Sequence, residues 1–148
     1  MSFYIVLIHI HSVLRWFLLA FLLYSLVISF IRWRASEPLG KTNALMAAIT
    51  VHFSHLQLLV GIILYFVSVK VMFNQAAMAS PVIRFFTIEH VSLMVLAIAS
   101  LTFGNIKAKS TDDQKLKAKY IFIWFLIGFI IMMLAIPWPF RALGSGWM

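Results

Sequence analysis

The chain predicts an all-α membrane protein, a bundle of four transmembrane helices. Three observations lead there. Apolar runs at 3–31, 44–69, 82–103 and 120–137 are each long enough for a helix to cross a hydrocarbon core of about 30 Å. Hydrophobic residues make up 64% of the 148 residues and charged residues only 11%, more apolar surface than a soluble domain of this size can hide. The connections are short, so neighbouring helices run antiparallel in up-down-up-down order. On this reading, residues 1–148 form a single four-helix transmembrane domain and leave no room for a soluble one.

The first run is too long for a secretory signal, and it lacks a small-residue cleavage site before Arg32. It reads as a retained helix. Ser36-Glu37-Pro38-Leu39-Gly40 breaks the chain, and Thr42 or Asn43 is placed to cap the second helix. The connection at 70–81 is moderately apolar and either lies at the interface or extends the second span; Pro81 resets the chain for the third. Thr111-Asp112-Asp113-Gln114 resembles a cap for a lysine-rich segment that runs into the fourth span, which ends at Pro137-Trp138-Pro139. Trp33, Trp138 and Trp147 fall near predicted membrane edges, where amphipathic rings are favoured.

The net charge of +8 is unevenly distributed. Arg32, Arg34 and Lys41 lie in the first connection, and Lys107, Lys109, Lys115, Lys117 and Lys119 in the third. Lys70, Arg84 and Arg141 lie on the opposite side. The positive-inside rule then puts the lysine-rich connections in the cytoplasm and both termini outside, as in a multi-pass protein of a bacterial inner membrane. Basic residues flanking spans serve orientation and contact with anionic membrane lipid, and no nucleic-acid partner is expected.

Polar groups inside the runs mark the candidate site, because titratable groups in a membrane usually face a bundle interior, a cavity or a ligand. Arg15 follows His11 by one helical turn and shares its face. His9 lies about 200° around the helix from His11, so both cannot address one site. From the outer edge, His11 lies at a depth of about 12 Å and His90 at about 10 Å. His52 and His55 sit deeper, form a second polar patch with Leu59, and have no histidine partner on the fourth span. They are placed to assist quinone proton exchange or to ligate a second haem.

The chain has no cysteine, which removes disulfides, covalently attached c-type haem and thiolate-held iron–sulfur clusters. Any metal must be held by His, carboxylate, Met or backbone groups. His11 and His90, from different helices at similar depth, suit the axial positions of a b-type haem. Arg15, Arg84 and Lys70 are candidate propionate partners, and Ser12 is placed to hold an imidazole or a propionate. Glu89 is a candidate ion-pair partner for Arg15 or a carboxylate orienting a ligating imidazole. A non-haem site built from His11, Glu89 and His90 ranks lower, because Glu89 and His90 diverge by about 100° on a helix, and no HExxH or EF-hand spacing occurs.

A histidine-containing first span followed by Trp16, with His90 in the third span of a short four-span chain, resembles small membrane b-type cytochromes. It also looks like the bacterial membrane protoporphyrinogen oxidase family. In both, a first-span histidine is a haem ligand, and His11 matches that position, with His9 as the alternative. The oxidase family carries a stretch with Lys and Trp around its third span; here that region reads Arg84-Phe85-Phe86-Thr87-Ile88-Glu89-His90, with neither. The resemblance therefore implies a haem-b protein that transfers electrons with a quinone or a redox protein partner. The alternatives are a haem-dependent oxidase of a porphyrinogen-like substrate and a cofactor-free accessory or transport subunit.

Overall fold

The computed structural model describes residues 3–143, apart from the side chain of Ala76. Four long apolar helices dominate: α1 (Phe3–Ala35), α2 (Lys41–Val67), α3 (Pro81–Lys109) and α4 (Gln114–Ala135). Each is long and apolar enough to cross a membrane, as a multi-pass membrane protein requires. Trp147 lies outside the described residues.

The helices overrun the apolar runs at their basic ends. α1 continues through Arg32 and Arg34, and α3 continues through Lys107 and Lys109, because helical hydrogen bonding does not stop where lipid does. Between α1 and α2, Ser36 and Gly40 take left-handed φ values of 56° and 80°. The α2 cap differs from expectation. The helix starts at Lys41 after Gly40, with no side-chain cap. Asn43 instead donates from Nδ2 to the Leu39 carbonyl at 2.7 Å and accepts the Tyr24 hydroxyl at 3.0 Å, so it staples the connection to α1. The Asp113 cap forms as the sequence predicts, its Oδ1 accepting the Lys115 and Leu116 amides.

The 68–80 connection neither extends α2 nor stays fully irregular. It folds through a one-turn helix, Gln75–Met78, into Ser80, whose hydroxyl accepts the Ile83 amide ahead of α3. α3 carries a π-helical segment at Phe85–Glu89, in which the His90 amide reaches back to the Phe85 carbonyl. Such a wide turn inserts a residue into a helix and rotates everything that follows it.

The packed half of the bundle lies toward the basic connections. Leu22, Leu101, Ile121 and Phe125 are essentially fully buried there. α3 and α4 approach most closely because Gly104 and Gly128 carry no Cβ; one at Gly104 would meet Trp124 Cβ at 2.5 Å, and one at Gly128 would meet Leu101 Cδ2 at 2.8 Å. Inter-helix hydrogen bonds fasten the same half: Ser100 to the Trp124 carbonyl at 2.7 Å, and Ser25 with Thr50 at 3.0 Å. α1 packs on α2 and α4, and α3 packs on α4, while α2 and α3 touch more sparingly.

Candidate functional site

The opposite half of the bundle holds a partly open cavity of about 390 Å³, within the range of ligand pockets. Its walls come from the beginning of α1, the end of α2, the 68–71 turn, the beginning of α3 and the end of α4. Most of the lining is aliphatic or aromatic. The polar exceptions converge: Tyr4, His11, Ser12 and Arg15 from α1, Gln57 and Tyr65 from α2, Ser68 and Lys70 from the turn, and His90 from α3. His11, His90 and Arg15 lie within electrostatic range of one another.

His90 is fixed from an unexpected direction. Its Nδ1 lies 2.8 Å from the carbonyl oxygen of Ala135, the last residue of α4. A carbonyl only accepts, so Nδ1 carries the proton and Nε2 is the bare nitrogen. The acceptor exists because of the prolines that follow. In a continuing helix the Met133 and Ala135 carbonyls would bond the amides of residues 137 and 139, but both are proline and have no N–H. Side chains take over: the Trp138 indole donates to Met133 O at 3.0 Å, Arg141 donates to Leu134 O at 2.6 Å, and His90 takes Ala135. The π-segment supplies the other half of this placement. Thr87, inside it, offers its carbonyl to the Tyr65 hydroxyl at 2.9 Å and its hydroxyl to the Met72 amide at 3.2 Å, tying the start of α3 to the end of α2.

His11 is held against α2. A Cβ at Gly61 would lie 3.2 Å from His11 Cε1 and 3.8 Å from Nδ1, so this edge of the imidazole rests where only glycine leaves room. One turn earlier on the same face, Gln57 donates from Nε2 to the His11 backbone carbonyl at 2.8 Å. His11 Nδ1 and Gln57 Oε1 are both buried with no hydrogen-bond partner among the described residues.

The remaining sequence candidates fall in three places. Ser12 and Arg15 line the cavity with His11, and the Arg15 guanidinium lies 5.2 Å from the Trp16 ring centre. Lys70 also lines it, its ammonium 4.8 Å from the Phe86 ring; burial pushes this lysine below its ordinary pKa. Arg84 does not line it: its Nε donates to Glu89 at 2.9 Å on a solvent-accessible part of α3. Glu89 is thus the partner of Arg84 rather than of Arg15, and the group that orients His90 is a backbone carbonyl rather than this carboxylate. His9 is exposed and away from the cavity.

His52 and His55 point outward from α2. His52 bonds its own helix at the Ala48 carbonyl, 2.7 Å away, and His55 Nε2 lies 3.2 Å from the Thr102 hydroxyl of α3. The inward stripe of α2 is Thr50, Ser54, Gln57, Gly61 and Tyr65. Its spacing of three and four residues is the signal that the histidines obscured.

The donor set matches a b-type haem in kind: imidazoles from two helices, cationic and hydroxyl groups near one cavity, and apolar walls. The bare Nε2 of His90, on a cavity that His11 also lines, is the observation that most asks for a ligand at the site. Among the described residues no three His, Cys, Asp or Glu side chains gather as a metal site. A porphyrin brings its own equatorial nitrogens and asks the protein only for axial ligands. Comparison with family models, with curated proteins and with solved structures returned no match.

Proposed function

We propose that this chain is a haem-b-binding integral membrane protein that transfers electrons with a quinone or a redox protein partner. The reading rests chiefly on His90, whose Nδ1–H is committed to the Ala135 carbonyl and whose Nε2 is thereby left to ligate, on the same cavity as His11. Haem, when bound there, supplies reversible one-electron chemistry. The chain's own part is to hold two neutral imidazoles, to keep water away with aliphatic walls, and to offer cationic partners to the propionates. Arg15 and Lys70 are assigned that last role; Arg84, already on Glu89, is not.

The proposal places residues 1–148 in one transmembrane domain with up-down-up-down topology, in a bacterial inner membrane. Both termini and the cavity end face outside, and the basic connections face the cytoplasm.

The test is a reduced-minus-oxidised spectrum and a pyridine haemochrome of protein purified in mild detergent, for wild type, H11A, H90A and H9A. Wild type and H9A are expected to carry haem, and H11A and H90A to lose it. Folded wild type that stays colourless when made with haem available would leave the polar groups as an internal network of an accessory or transport subunit. Formation of a porphyrin from its porphyrinogen by the haem-loaded protein would favour the oxidase.

A further inference from the structure

We infer that Gln57 is a positioning residue for His11: its Oε1 accepts the His11 Nδ1–H, fixing the tautomer in which Nε2 is the free nitrogen. Four observations carry this. Gln57 is 9% exposed, in the middle of a membrane-spanning helix, where a side-chain amide needs partners. Its Nε2 is anchored on the backbone carbonyl of His11 itself, so the amide is held beside that residue. Its Oε1 and His11 Nδ1 are complementary, buried, and both without partners among the described residues. The Nδ1–Cε1 edge of the imidazole rests on Gly61, one turn along the same face of α2, so the ring presents that edge to the helix that carries Gln57.

Closing this bond removes two unsatisfied buried groups at once. The pairing matches His90, where a backbone carbonyl does the same for the other imidazole. This role deepens the haem reading, and its chemical consequence rests on that reading. A ligating imidazole whose far N–H is accepted donates more strongly to the metal.

The experiment uses full-length protein in detergent: wild type, Q57L, which removes the acceptor, and Q57E, which keeps it. Q57M replaces Q57L if the latter accumulates poorly. If wild type carries haem, the midpoint potential decides. Q57L is expected to raise it by about tenfold in the reduced-to-oxidised ratio, about 59 mV for one electron, and Q57E to lower it. Unchanged potentials in both variants would overturn the role of Gln57 while leaving the haem reading standing.

If wild type carries no haem, that reading has failed, and nitrogen NMR of labelled histidines decides Gln57 separately, at a pH where imidazoles are neutral and with H11Q identifying the His11 signals. An Nδ1–H tautomer in wild type that persists in Q57E and is lost in Q57L supports the bond. The Nε2–H tautomer in wild type, or equal populations in wild type and Q57L, overturns it.

Discussion

His90 and Ala135 bind the beginning of the third membrane helix to the end of the fourth through one 2.8 Å contact between an imidazole Nδ1 and a backbone carbonyl. The acceptor is available because Pro139 cannot donate to it, so a helix-ending proline sets the protonation pattern of a histidine on another helix.

Replacing both Pro137 and Pro139 with alanine restores the missing amides and lets α4 continue for another turn. The Ala135 carbonyl then acquires a partner in its own helix, and His90 is released. Haem affinity is expected to fall about 10–100-fold, the usual cost of losing a group that orients a ligand, while helical content stays level or rises. Haem titration with circular dichroism checks this. Unchanged affinity would mean that the carbonyl does not position His90.

Glycine substitutions separate the site from the scaffold. In G61A the new Cβ meets an imidazole edge at 3.2 Å, so the ring must shift. The expected result is a lower haem occupancy with a melting temperature near that of wild type. In G128A the Cβ meets Leu101 at 2.8 Å and the Ala97 carbonyl at 3.0 Å, inside the packed half. There the expected result is a loss of about 1–3 kcal/mol of stability, measured by thermal or denaturant unfolding in detergent. Equal effects of both on stability, with none on haem, would argue against Gly61 as part of the site.

Arg15 is expected to act on an internal anion through its rigid fork of donors. R15K keeps the charge and loses that geometry; R15L loses both. The midpoint potential should shift in R15K and shift further in R15L. Membrane yield, haem occupancy and potential are measured together, and a wild-type result for R15L in all three would remove Arg15 from the site.

The outward histidines provide the contrast. H52A and H55A, singly or together, are expected to leave haem content and potential unchanged, since neither side chain lines the cavity. Haem loss in the double variant comparable to that of H11A would place the ligands on the other side of α2.

Orientation is accessible to cysteine labelling, because the chain has no native cysteine. A cysteine at exposed Gln75 is expected to react in intact cells with a membrane-impermeant reagent, and one at exposed Ser110 only after permeabilisation. The reverse pattern would invert the bundle.

The bundle was legible in the sequence because apolar runs and lipid thickness constrain each other directly. The face of α1 was legible for a similar reason: Arg15 one turn from His11 marks a direction. The face of α2 was not, since His52 and His55 drew attention to one side while Thr50, Ser54, Gln57 and Gly61 line the other. Small and uncharged polar residues carry a weaker signal than imidazoles, though their spacing was available. The π-segment at Phe85–Glu89 and the carbonyl freed by Pro139 are relations between elements, and local pattern alone does not reveal which helix end meets which histidine.

The uneven filling of the bundle has an electrical consequence. The half around Leu22, Leu101, Ile121 and Phe125 is closely packed, and neither His52 nor His55 turns inward there. Moving a charge from the cavity into such low-dielectric packing is costly. Under the proposed electron-transfer reading, electrons are expected to enter and leave at the cavity's own end of the bundle. On that reading the protein is a one-sided terminal, and current across the bilayer requires a second carrier.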